Sequence, residues 1–199
     1  MKKTVFTLLS IIFALNIYCQ TDIDKTKIGY INCMLPLSFN KVKGAKYDEL
    51  KEITISQTKQ LLKSYPNTDA NSISLVGFDV YESSDQNVLI LFQSIKIQME
   101  LSEFYLDEMR NEAVDKINWG ITNNKLSKCF KNEVTLINGS KVHYTDLLIS
   151  NGARNINLNF WKKEFKNITN GIAIIANTNN DYLENENELK KFINSIIIE

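Results

Sequence analysis

EVTLINGSKVHYTDLLISNGARNINLNFWKKEFKNITNGIAIIANT, residues 133–178, is the stretch on which the fold turns. Asn-Gly occurs in it three times, at Asn138-Gly139, Asn151-Gly152 and Asn170-Gly171, each time between β-prone runs. Asn and Gly tolerate the positive φ that a type I′ hairpin turn requires at both central positions. The spacing therefore predicts four strands, 133–137, 140–149, 154–165 and 172–177, joined as an antiparallel meander. In the third, Ile156, Leu158 and Phe160 alternate with Asn155, Asn157 and Asn159, so one face is expected to be buried and the other solvated.

Downstream, Leu189, Phe192, Ile193, Ile196 and Ile197 recur at helical spacing and predict an amphipathic helix over 182–197 that covers the sheet. Upstream, Tyr105, Leu106, Met109, Ala113 and Ile117 predict another over 102–118, with Gly120 placed to end it. Runs 73–81 and 88–98 are β-prone and flank Glu82-Ser83-Ser84-Asp85-Gln86-Asn87, a polar hairpin loop. Tyr47, Leu50, Ile53, Thr54, Leu61 and Leu62 predict a further helix over 47–64, with Pro66 just beyond it. An opening strand over 28–35 stops at Pro36. This order predicts an α+β fold: an antiparallel sheet, its C-terminal part the meander, with helices packed on it as an α/β/α sandwich. No linker-like stretch and no repeat interrupts 20–199, which reads as a single α+β domain.

Ahead of that domain, Met1-Lys2-Lys3 is a basic start to the apolar run 5–15, which Asn16 interrupts well short of the ~20 residues a spanning helix needs. Residues 1–19 read as a secretory signal peptide, cut between Cys19 and Gln20. Cys19 has a second reading, lipidation as the first residue of the mature chain, although Tyr18 fits poorly with the small residues such a signal wants. Over the whole chain 23 basic residues balance 23 acidic ones, which leaves no field to steer nucleic acid or an anionic membrane. Removing 1–19 takes away Lys2 and Lys3 and no acid, leaving 21 basic and 23 acidic side chains, a charge of −2, on 180 residues. Export permits disulfides, and Cys33 and Cys129 are the pair left after processing. A bridge between them and two separate buried thiols are both open readings.

The residues give little support to catalysis, and no catalytic residue is assigned. His143 is the one imidazole; strand alternation groups it with Lys141 and Thr145, opposite Val142 and Tyr144, on the polar side. No Gly-x-Ser-x-Gly elbow accompanies it, and Gly-x-Gly never occurs, so neither a nucleophile elbow nor a phosphate loop is present. Acid pairs such as Asp79 with Glu82 and Glu108 with Glu112 read as solvated faces. Asn177, Asn179, Asp181 and Glu188 sit at calcium-loop spacing, but Tyr182 stands where that loop needs Gly, and a helix cap is the simpler reading. No cofactor and no metal are therefore expected. Trp161 is the best candidate for a partner surface: alternation puts it with Asn157 and Asn159, and Lys163 shares its face. The competing reading packs Trp161 beneath a helix such as 47–64.

Leu35-Pro36-Leu37-Ser38-Phe39, the meander around its Asn-Gly turns and Phe192-Ile193-Asn194-Ser195-Ile196 together resemble the PsbP-like/DcrB-like group, over most of 28–197. That group's α/β/α sandwich is shared by a lumenal photosystem subunit, a bacterial periplasmic lipoprotein and a nuclear import factor. The resemblance implies binding and assembly rather than catalysis, and carries no functional residue across. The expectation is an exported, non-catalytic binding or accessory protein of the bacterial cell envelope, secreted or periplasmic. Its partner would be a protein or envelope component and not nucleic acid; the alternative is a carrier of a small ligand or lipid.

Overall fold

A computed structural model describes residues 25–62, 74–96, 102–123, 128–162 and 168–199. The signal segment 1–19 with Cys19, and Lys163, lie outside the described residues. The strands are β1 (Lys25–Ile28), β2 (Ile31–Met34), β3 (Phe39–Lys41), β4 (Ser74–Ser83), β5 (Val88–Lys96), β6 (Lys128–Ile137), β7 (Ser140–Leu148), β8 (Arg154–Lys162), β9 (Ile168–Ala176) and β10 (Ile197–Ile198). The helices are α1 (Ala45–Leu62), α2 (Glu103–Thr122) and α3 (Asn179–Ser195). Seven strands form one antiparallel sheet in the order β3-β4-β5-β9-β8-β7-β6, and β1-β2-β10 form a second, smaller one. The fold is α+β, with helices on both faces of the large sheet. No described helix is long and apolar enough to cross a membrane.

The three Asn-Gly pairs have three different fates. Asn138 and Gly139 both take positive φ, 47° and 79°, and make the expected tight turn between β6 and β7. At the second pair only Gly152 does, at 87°, inside a longer loop in which Asn151 Oδ1 accepts from Ala153 N at 3.1 Å. The third is not a turn: Asn170 and Gly171 lie inside β9, paired with Phe160 and Asn159 of β8. Asn170 is fully buried and accepts a 2.6 Å hydrogen bond from Ser94 Oγ, and a Cβ on Gly171 would stand 2.7 Å from Gln93 Nε2. The pair serves packing there, and the connection from β8 to β9 falls in 163–167, outside the described residues.

Alternation separates the two faces of the sheet as expected. Ile156, Leu158, Phe160, Ile174, Ile90 and Phe92 are completely buried on one face, whereas Asn155, Asn157 and Asn159 are half-buried on the other. The apolar face is closed by α3 and by the small sheet, whose Ile28, Ile31, Cys33 and Ile198 join the same cluster as Leu189, Phe192 and Ile196. On the second face Tyr47 and Leu50 of α1 pack over Phe78, Val80, Leu89 and Leu91, and α2 lies over β6 and β7. Thr178 caps α3: its hydroxyl accepts from Asp181 N, and Asp181's carboxylate takes Thr178's backbone N–H in return.

Three boundaries differ from the expectation. Gly120 does not end α2, which runs on to Thr122; the stop is Asn123, whose side chain donates to the Trp119 carbonyl at 2.8 Å. The last helix spans Asn179–Ser195, and Ile197 and Ile198 instead pair with Asn32 and Ile31 of β2. The strand expected over 28–35 is a hairpin, β1 and β2, folded at Gly29 and Tyr30. Gly29 has φ +58°, and an added Cβ would lie 2.5 Å from Ser94 Oγ, while one on Gly77 would come within 3.0 Å of Gly29 Cα. The small sheet therefore rests on the large one where two glycine backbones touch. Gly29→Ala combines a left-handed backbone with that clash and should destabilise the protein by about 2–4 kcal/mol. Gly44→Ala, at φ +69° with open space around it, should cost only about 1–2 kcal/mol; urea midpoints of equal size for the two variants would refute the close approach as the cause.

Candidate functional site

The connection from β2 to β3 runs beside α3 as a strap pinned at both ends. At one end Met34 N donates to Ser195 Oγ at 2.8 Å, and Ser195 Oγ in turn donates to the Phe192 carbonyl at 2.6 Å. At the other, Ser38 Oγ donates to Glu188 Oε2 at 2.8 Å, and Phe39 N closes a turn on the Pro36 carbonyl at 3.1 Å. Glu188, Lys191, Phe192 and Ser195 are spaced by three and four along α3 and so form one stripe facing the strap. Between strap and stripe lies a mainly apolar cleft of about 410 Å³, walled by Met34, Leu35, Pro36 and Leu37 and floored by Phe192. Pro36 is buried, but Leu37 beside it is 89% exposed. A rigidly held leucine at the lip of an apolar cleft is the anatomy of an interaction anchor.

On the opposite flank of α3 the architecture is polar. Arg154 at the start of β8 is clamped by Asp146 of β7 through Nε at 3.0 Å and Nη2 at 2.9 Å, and its Nη1 reaches Asn179 Oδ1 at 3.1 Å. Its guanidinium stacks 3.8 Å from the Tyr182 ring centroid and 4.6 Å from that of Phe130. Both partners of this ion pair are about nine-tenths buried, and fork-to-fork geometry with every guanidinium nitrogen engaged is what makes such burial tolerable. A second cleft of about 280 Å³ opens beside it, between α3 and the strands β6 to β8.

The residues singled out from sequence are not gathered at either cleft. Trp161 is half-buried at the end of β8, and its carbonyl accepts a 2.5 Å bond from Arg110 Nη2, so the helix over this corner is α2 and not the segment 47–64. Its indole Nε1 is shut away from solvent. His143 is not a surface histidine: it is 3% exposed, because α2 covers the face that alternation marked as polar. Its Nε2 meets Asn132 Oδ1 at 2.9 Å, and Asn132 Nδ2 donates to Val114 O and Asn118 Oδ1, both on α2. The Asn132 amide is thereby oriented to accept, so His143 Nε2 carries the proton and Nδ1 is a buried lone pair. Cys33 lies in β2 and Cys129 in β6, in different sheets, and both are free thiols. Burial pushes the Cys33 thiol up to about 12 and raises that of Cys129, where the Asp146 charge adds to the effect. Asn179 through Glu188 are helical, with Thr178 and Asp181 spent on the cap; among the described residues no three His, Cys, Asp or Glu side chains come together as a metal site.

Neither flank of α3 was assigned a role from sequence. Leu37 entered only as part of the segment 35–39 that carries the resemblance, with no role of its own, and Tyr144, Tyr182 and Arg154 are too far apart in the chain for spacing to connect them. No protein-family model matches the chain, and no curated protein matches it at a significant level.

His143 generates a pH dependence. Burial holds its pKa below the ordinary value near 6.5, so the unfolded chain takes up a proton that the folded chain resists. Stability should be complete above that ordinary value and fall as the pH drops below it, levelling off once the folded imidazole also protonates. Because the chain has one histidine, the slope of the denaturation midpoint between about pH 7 and 5 should vanish in His143→Gln. A wild-type midpoint that stays flat across this window would contradict the assignment.

Proposed function

We propose that the protein is an exported, non-catalytic binding or accessory component of the bacterial cell envelope, and that the strap cleft is where it meets its partner. The observation that carries this reading is Leu37, fully presented on a turn that hydrogen bonds fix to α3. Exposed aliphatic surface beside an apolar cleft is stabilised when a partner covers it, at roughly 25 cal/mol per Å² of apolar area removed from water. The partner is a protein or envelope component presenting an apolar group of matching size. Two of the three segments that carry the resemblance to the PsbP-like/DcrB-like group, 35–39 and 192–196, contribute residues to this cleft, which suits a binding role.

The side chains capable of chemistry support binding over catalysis. His143 is committed to the α2 network, and the raised thiols of Cys33 and Cys129 hold little thiolate at neutral pH. A carrier role is the second reading, favoured by a cleft volume in the range of small-ligand sites. Native mass spectrometry separates the two: a carrier retains a small molecule of defined mass after purification, and the binding module does not.

Two outcomes are expected. Intact-mass measurement of the full chain made in its own host should give a mature species starting at Gln20, or a lipidated one starting at Cys19. Recovery of the protein with Met1 retained, in the cytoplasmic fraction, would end the export reading. Leu37→Asp should weaken retention of the envelope partner that the wild-type chain holds by at least about tenfold, or about 1.4 kcal/mol. Leu183→Asp, at a residue 48% exposed and not lining the cleft, serves as the control. Equal retention by the two variants would place the contact elsewhere.

A further inference from the structure

The polar cleft on the other flank of α3 has an unusual stock of donors. Tyr182 is 97% buried and lines this cleft, and its hydroxyl makes no hydrogen bond to any described group and is not sealed from solvent. Tyr144, half-buried, brings a second phenol without a hydrogen-bond partner into the same space. Lys131, Lys190 and Asn194 add two ammonium groups and an amide. Acceptors are fewer. Both oxygens of Asp146 are taken by Arg154, which leaves the Glu186 carboxylate, 3.1 Å from Lys190. The lining residues carry three cations, Lys131, Arg154 and Lys190, against two carboxylates, a net charge of +1 that Glu133, paired with Lys131 from outside the lining, offsets.

We propose that this cleft is a phosphate-binding site, in which the hydroxyls of Tyr144 and Tyr182 donate to the oxyanion and the ammonium groups of Lys131 and Lys190 neutralise it. Four donor-bearing side chains lining one cleft from β6, β7 and α3 suit a tetrahedral oxyanion with several acceptor oxygens better than a planar carboxylate. The ion pairs that now hold the lysines, to Glu133 at 3.2 Å and to Glu186, are half in solvent on the lysine side and weak enough to yield to a dianion. Arg154 does not touch the ligand; with its nitrogens engaged it stays 3.8 Å behind the Tyr182 ring as fixed positive charge. A sugar ring is disfavoured as the occupant, because Lys131 lies over Tyr144 and Arg154 over Tyr182, so each ring has a face already occupied. Burial raises both phenols, Tyr144 to about 12, so they remain protonated donors at any physiological pH. A cleft of about 280 Å³ admits one phosphate group with a short substituent.

The shared chemistry is a phosphate, free or as the monoester of a larger envelope molecule. The test is calorimetric titration of the full mature chain with inorganic phosphate, glycerol phosphate, acetate and glycerol. Saturable binding of either phosphate, weakened about tenfold by Tyr144→Phe and by Tyr182→Phe, is expected; both variants keep the ring and the stacked guanidinium. Tighter binding of glycerol phosphate assigns the site to a monoester, and tighter binding of inorganic phosphate assigns it to the free ion. Leu37→Asp should leave either affinity unchanged, which keeps this site separate from the strap cleft. No saturable binding, binding indifferent to both Phe variants, or acetate binding as tightly as phosphate would overturn the proposal.

Discussion

The rest of the structure depends on how α3 is seated. Phe192 meets Phe92 edge to face, 5.8 Å between centroids at 85°, and Phe92 meets Tyr81 in the same way at 5.9 Å and 86°. These rings and Leu189 lie on the completely buried face of β5, β8 and β9. Each such side chain contributes about 1.5–3 kcal/mol through burial, and each edge-to-face pair adds about 0.5–1.5 kcal/mol. Seated there, α3 fixes the strap through Ser195 and Glu188, and its N-terminal turn packs Tyr182 on Arg154. Its C-terminal carbonyls are held by Asn138, whose Nδ2 donates to Asn194 O at 3.0 Å and Ile196 O at 2.7 Å. One helix thus borders two clefts, one walled by apolar side chains and one lined by charged and phenolic ones.

That opposition follows from which residues face outward on each flank. The strap offers Met34, Leu35 and Leu37, unable to hydrogen-bond through their side chains, and the cleft it walls remains apolar. The other flank is built on the Arg154–Asp146 pair, whose burial near the surface of the sheet has to be compensated by full hydrogen bonding. Around it the hydroxyls of Tyr144 and Tyr182 make no hydrogen bond to a described group, and both residues line the neighbouring cleft. Beneath α2, by contrast, polar atoms such as His143 Nδ1 and Arg110 Nε are sealed from solvent without hydrogen-bond partners, a closed environment rather than an accessible site.

Much of the fold was legible because it rests on local rules. Asn138-Gly139 declares its turn by φ alone, Ile156, Leu158 and Phe160 declare their face by period two, and the Asn/Asp cluster of Asn177, Asn179 and Asp181 declares a helix cap, although the helix starts at Asn179 and Thr178 is the capping residue. Asn170-Gly171 misleads for the same reason: the dipeptide permits a turn, but burial against Ser94 and Gln93 uses its small size instead. His143 misleads because alternation reports only that two faces differ. It does not report that a second helix will cover the more polar one. Gly29 looked like a strand residue until its backbone proved to be the support of the small sheet. Of the strap cleft, the stop at Pro36 and the helix that carries Phe192 were each visible, but nothing local says that they face one another.

The sequence by itself determined the meander, the three amphipathic helices and the α+β class, since these follow from periodicity and turn chemistry within about twenty residues of chain. The tertiary structure alone decided that residues 34–38 lie along α3, that Tyr144 and Tyr182 share a cleft, and that His143 is buried. These pairings join positions far apart in the chain, and they are selected by the burial of one sheet face against a particular helix, a contact that no local pattern encodes.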